Sequence, residues 1–184
     1  MRRTIFANMF GLLFVVGMMP IMAVSSPATE DVVALRQADM KAMAAAVKTI
    51  SGMFKDPASY TANEFSWAAD TIRDRSGVVL SGHFMSEAVS PQSKAKPNIP
   101  AERERFDRIA NDLRDYAVAL DAAARSNPGS MSASMRMKPG EAMGGGPLGT
   151  HVRNEQDLLA MPAEHAFHLM LQTCTTCHAK FRAE

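Results

Sequence analysis

Apolar residues return every three or four positions in four stretches of this chain, the spacing that lines one face of an α-helix. The first stretch runs from about Thr29 to Phe54. Val33, Met40, Met43, Val47, Ile50 and Phe54 share one line, with Arg36 in its missing step. Thr29 is the expected N-cap, Glu30 and Asp31 follow it, and Asp56-Pro57 ends the helix. The second stretch opens with Thr61-Ala62-Asn63-Glu64, a capping box, and places Phe65, Ala68, Ile72, Val79 and Leu80 on a buried face. The third begins near Pro100, whose fixed φ suits a first helical position. Its seam is Phe106, Ile109, Leu113, Tyr116, Leu120 and Ala124. A short helix over Asn154–Ala160 precedes the last stretch, from about Pro162 to Arg182, which carries Ala163, Phe167, Met170, Cys174, Cys177 and Phe181.

Runs of alternating Val, Ile and Thr that would mark strands are absent. Four helices of about 20 residues, each ~30 Å long, predict an all-α fold, an antiparallel up-down four-helix bundle. Residues 81–99 read as a loop with Pro91 and Pro97. Residues 126–153, rich in Gly, Ser, Pro and Met and without periodicity, read as a long structureless loop before the last helix.

Ahead of the bundle the chain reads Met1-Arg2-Arg3, then a mostly apolar run from Ile5 to Met22, then the small residues Ala23-Val24-Ser25. That layout predicts a secretory signal peptide over residues 1–25, cut after Ser25, leaving 26–184 as one domain. A retained anchor is the alternative, but the run is short for a bilayer span. Hydrophobic residues at 47% and charged residues at 21% exclude both a disordered chain and a polytopic membrane protein. Lys plus Arg number 20 against 19 for Asp plus Glu, so the basic excess of a nucleic-acid partner is missing. No hydrolytic triad or phosphate loop is visible, and the chain is not read as an enzyme.

The chemistry lies in Cys174-Thr175-Thr176-Cys177-His178. Cys-x-x-Cys-His is the attachment signature of c-type haem. On a helix Cys174 and Cys177 share a face, so two sulfurs can meet the two vinyl groups of one porphyrin. His178, four residues after Cys174, rises on that face to meet the iron. Three other readings stay open: a zinc site using both thiolates with His165, His168 or His178, a dithiol redox centre, and a structural disulfide. The adjacent His and the inward line of both cysteines favour haem, and export agrees, since c-type haem is attached outside the cytoplasm.

Three segments resemble the class II cytochromes c, the cytochrome c′ and cytochrome c556 group. They are the C-terminal haem motif continuing as Ala179-Lys180-Phe181-Arg182, the opening Arg36-Gln37-Ala38-Asp39-Met40-Lys41, and Ser93-Lys94-Ala95-Lys96-Pro97-Asn98-Ile99. Pro100, where the family commonly has an aromatic, and the inserted loop 126–153 depart from it. The resemblance implies one covalent haem c with His178 as proximal ligand. It implies Arg36 near a haem propionate and Arg182 as the family's Arg after the haem His. It places Met40 over the other haem face, where Met can be the sixth ligand, as in the c556 branch; Met43 is the alternative. The implied function is a periplasmic one-electron carrier serving periplasmic redox partners. An open distal face would instead give a five-coordinate protein binding NO or CO. Homodimers through the first two helices are also implied, with no membrane span after processing.

Weaker signals remain. Met131, Met135, Met137 and Met143, with His151 nearby, offer soft thioethers suited to Cu(I), or are simply a low-complexity loop. His165 and His168 read as solvated or interfacial, His83 as an ordinary loop residue, and Trp67 as packing.

Overall fold

The computed structural model describes residues 27–85, 92–141 and 155–183. The expected signal peptide, Met143 and His151 lie outside the described residues. Six helices follow in order: α1 (Pro27–Lys55), α2 (Ala62–Arg73), α3 (Gly77–Gly82), α4 (Arg103–Ser126), α5 (Glu155–Ala160) and α6 (Ala163–Phe181). Among the described residues there is no strand, and the β-pairing is one isolated antiparallel bridge between Ala95 and Arg182. No helix there is long and apolar enough to cross a membrane.

The long helices α1, α2, α4 and α6 form the four-helix bundle, with α1 packed on α2, α2 on α4 and α4 on α6. The seams read from the sequence meet in one central core, where Ile50 and Phe54 join Phe65 and Ile72, Tyr116 and Leu120, and Phe167 and Met170. Phe54 packs edge-on to Phe65 and tilted against Phe167, with ring centroids 5.5 Å apart in both pairs. Each such side chain contributes roughly 1.5–3 kcal/mol through its removal from water. A second apolar cluster, Leu80, Ile99, Phe106, Ile109, Ala110 and Phe181, fills the end where α1 begins and α6 finishes.

Several elements differ from the sequence expectations, each for a local reason. The second stretch is two helices, because the chain turns at Gly77, whose φ of +58° is costly for a residue with a Cβ. A Cβ there would also stand 3.1 Å from Arg114 Cδ. The redirected α3 still buries Leu80 but leaves Val79 43% exposed. The capping box does not form: the Thr61 side chain makes no capping bond. Helix α1 already begins at Pro27, so Thr29 lies inside it. Helix α4 starts at Arg103, after a turn over residues 97–102 that includes Pro100. Trp67 is 67% exposed, because Phe65, Ala68, Ala69 and Ile72 occupy the inner face of α2.

The loop after α4 is also not structureless where it is described. Ala133–Met135 form a 3₁₀ turn that buries Met135 in the core, and Met131 packs against that core. Arg136 donates to Glu164 Oε2 (2.9 Å) and to the Phe54 carbonyl (2.8 Å), and the Met137 amide donates to the same Glu164 oxygen. Periodicity cannot register a segment held by single side chains. Met131 and Met135 therefore serve packing, a role that neither reading of the Met cluster, copper ligands or low-complexity loop, gives them. His165 is not solvated either: its side chain is 12% exposed, and Nδ1 lies 3.1 Å from Glu141 Oε1.

Candidate functional site

Helices α1 and α6 border a cavity of about 280 Å³ at the end closed by the second apolar cluster. Val33, Arg36, Gln37, Met40 and Lys41 reach it from α1, at the spacing of a single helical face. Cys177, His178 and Phe181 reach it from the last turns of α6, and Arg182 follows. Leu80, Phe84, Ile99 and Phe106 complete an apolar lining. Phe106 sits between Phe84 and Phe181, with ring centroids 4.9 and 5.2 Å away and steep interplanar angles that suit aromatic quadrupoles.

The turn that carries the haem motif is clamped from outside the helix. The Lys96 amide donates to the Phe181 carbonyl (2.8 Å) and the Ala183 amide to the Lys94 carbonyl (2.7 Å). Lys96 Nζ donates to the Ala179 carbonyl at 3.0 Å, and Lys180 pairs with Glu102 at 2.6 Å. The carbonyls at a helix C-terminus lack intrahelical partners, and residues 94–96 supply some of them.

Arg36 is buried, with 7% of its surface exposed. Its Nε donates to the His83 carbonyl at 2.8 Å, and its guanidinium lies 4.1 Å from the centroid of the Phe84 ring. The His83 ring meets Asp39 at 3.4 Å, and Asp39 also meets Arg75 at 3.4 Å. His83 is thus the anchor of a cavity-lining arginine rather than an ordinary loop residue. Nothing in the sequence marked it, since the contact spans 47 positions and uses a backbone oxygen.

The two cysteines are half-buried and are not joined to each other as a disulfide. Cys177 lines the cavity, whereas Cys174, a turn earlier, packs against the central core beside it. Burial raises the pKa of both, and pushes Cys177, with Cys174 adding to the effect, up to about 12. That shift disfavours the thiolate, the form a reactive dithiol centre relies on. Zinc fares no better: among the described residues no three His, Cys, Asp or Glu side chains come together. His178 keeps an open side, yet partial burial, with the Arg182 charge adding, lowers its pKa. That shift favours neutral imidazole, the form that binds metals.

The arrangement fits a haem. Its walls are apolar, the Cys177 sulfur and the His178 imidazole lie along one wall, and the charged side chains lining it, Arg36, Lys41, Lys94 and Arg182, are all cations suited to two propionates. Fold and site together define a helical bundle built around a covalently attached haem.

Comparison with known proteins agrees. The chain matches the family profile described as Cytochrome C' over residues 31–140, more than half its length, and it belongs to the cytochrome c′ family. The matched stretch ends before Cys174, so the family match and the haem motif are independent observations. No curated protein sequence matches significantly. Among solved structures, cytochrome c′ from Thermochromatium tepidum is 21% identical with a TM-score of 0.60, covering 85% of this chain and 97% of that one. A cytochrome c′ described as having ligand-controlled dimer dissociation is 18% identical, TM-score 0.60, with the same coverage. The nitric oxide complex of a point mutant of cytochrome c prime from Alcaligenes xylosoxidans is 20% identical, TM-score 0.58, again covering 85% and 97%. At these identities the structures establish the shared bundle. The cofactor of this family, one covalent haem c with its iron, is the cofactor of this chain.

Proposed function

We propose that the chain is a periplasmic one-electron carrier in which His178 and Met40 bind the haem iron from its two sides. One observation carries this reading: Met40 from α1 and His178 from α6 line the same cavity. Met43 is buried in the central core and does not line it, which favours Met40 of the two candidates. Bound haem would supply a one-electron couple, and a thioether ligand from Met40 would favour its ferrous state. Cys174 and Cys177 would hold the ring through thioethers, with Arg36 and Arg182 facing its propionates. Val33, Leu80, Phe84 and Phe106 exclude water from the space around it. The role is that of a carrier and not of a catalyst.

Export follows from the basic, apolar and small-residue layout of residues 1–25, which we read as a cleaved signal peptide. The competing role, gas binding at an open iron, draws on the nitric oxide complex known for a structural neighbour. An absorption spectrum of the mature holoprotein, oxidised and reduced, with and without carbon monoxide, separates the two. A low-spin spectrum indifferent to the gas is the expected result. A high-spin spectrum that shifts on adding gas would sink the carrier reading.

A homodimer through α1 and α2 is part of the same proposal, supported by exposed Leu35 on α1 and exposed Trp67 on α2. Trp67→Glu, which places a charge in that interface, is expected to shift the sedimentation coefficient from dimer to monomer. A wild-type protein that sediments as a monomer at all concentrations would contradict it.

A further inference from the structure

Helix α3 is six residues long, too short to hold its shape alone, and like any helix it leaves its last carbonyls short of donors. Two arginines from different helices supply donors there. Arg36 of α1 donates from Nε and Nη2 to the His83 carbonyl. Arg103, the first residue of α4, donates from Nη2 to the Ser81 carbonyl (2.9 Å) and from Nη1 to the Phe84 carbonyl (3.1 Å). Its Nε lies 2.8 Å from Asp107 Oδ1. All three guanidinium nitrogens of Arg103 are thus engaged at once, which takes the planar fork and is beyond a lysine. The gripped turn carries Phe84, which lines the cavity, stacks against the Arg36 guanidinium and meets Phe106 edge-on. Arg103 itself is not among the residues lining the cavity.

We propose that Arg103 is a positioning residue for the haem cavity: together with Arg36 it holds the turn over residues 81–84 so that the Phe84 ring closes one wall against water. The proposal rests on the reading of Phe84 as a water-excluding wall, and it holds whichever group closes the iron. Bonds to carbonyls fix the backbone itself, so a grip on Ser81 and Phe84 from α4 and on His83 from α1 leaves the Phe84 Cα one place to stand. Asp39, which meets both the His83 ring and Arg75, adds a further hold from α1. Arg36 therefore has a task besides facing a propionate, since two of its nitrogens serve this turn. Water beside a haem stabilises the more highly charged ferric iron, so burial is one of the levers on its potential. A turn that loosens should admit water and lower that potential.

The experiment uses the holoprotein and the variants Arg103→Lys and Arg36→Lys, each alone and combined with Phe84→Leu. Both keep the positive charge and lose the fork, so an effect they share reports geometry and not electrostatics. Amide exchange at Phe84 and Met85 is expected to run about tenfold faster in Arg103→Lys, because bonds from a charged donor to this turn are lost. Soret circular dichroism, which senses aromatic rings around a haem, should change in both variants, and the reduction potential should fall in both. Both changes should vanish in the Phe84→Leu background, where there is no ring left to place. A further measurement needs no variant: the Nη groups of Arg103 in the wild type should give separate ¹⁵N resonances, because their bonds restrict rotation about Nε–Cζ. One averaged Nη resonance overturns the proposal. So does a lower melting temperature in Arg103→Lys with potential and Soret signal unchanged, which is the mark of a merely structural cap. A shift confined to Arg36→Lys, or shifts that persist without Phe84, would place the effect at the haem itself and overturn it too. Carbon monoxide binding by the wild type overturns the ligation reading alone and leaves these comparisons intact.

Discussion

Met40→Leu is expected to turn a holoprotein that ignores carbon monoxide into one that binds it. Leucine matches methionine in volume and apolar character, so the swap costs less than about 1.5 kcal/mol of packing. It removes the sulfur and with it any bond to iron. If the thioether occupies the iron about 99% of the time, it suppresses gas affinity about 100-fold, and its loss should return that factor. The reduction potential should fall at the same time, because the ligand that favours ferrous iron is gone. Titration with carbon monoxide and a potentiometric titration measure the two effects. Met40 packs partly buried against both apolar clusters, so a purely structural role is a real competitor. A structural role predicts unchanged gas affinity and potential in Met40→Leu, with a small loss of stability in Met40→Ala.

The second large effect is expected at Phe106. This ring is almost fully buried and touches Phe84 on one side and Phe181 on the other. Phe106→Ala should cost about 3–5 kcal/mol, the lost transfer energy plus the void left between two rings that the backbone holds apart. For a chain of this size that corresponds to a melting temperature lower by roughly 10 °C. The damage should be local as well as global. Phe181 lies in the turn that carries the haem motif, and its carbonyl accepts from Lys96, so the clamp on His178 loosens with it. Thermal unfolding of the holoprotein tests the first part, and hydrogen exchange at the Lys96 and Ala183 amides the second. A loss below about 1 kcal/mol would mean that the neighbouring rings close over the gap.

Much of this was legible before any fold was known. Helical spacing placed Ile50, Phe65, Leu120 and Met170 in the core, where they are buried. The haem motif was legible because its chemistry is local: three side chains at i, i+3 and i+4 share a helix face whatever surrounds the helix. The break at Gly77 was less visible, since Val79 and Leu80 continue the apolar count across it while the backbone turns. The anchoring of Arg36 by His83 was invisible, because a carbonyl oxygen has no residue identity and the two positions are far apart in the chain. The loop after α4 was misjudged for a similar reason: Arg136 and Glu164 fasten it by single side chains that follow no period.

The sequence by itself determined most of the helical stretches, most of their inner faces and the haem-attachment motif, because each depends on neighbours within one or two turns. The tertiary structure decided which faces meet and which stay apart. It selected Met40 over Met43 as the thioether at the cavity, pinned Arg36 against Phe84 and His83, and tied residues 94–96 to the end of α6. It also gathered Lys41, Lys94 and Arg182 around one cavity. These outcomes depend on contacts between segments distant in the chain, and such contacts are set by the packing of whole helices rather than by any local pattern.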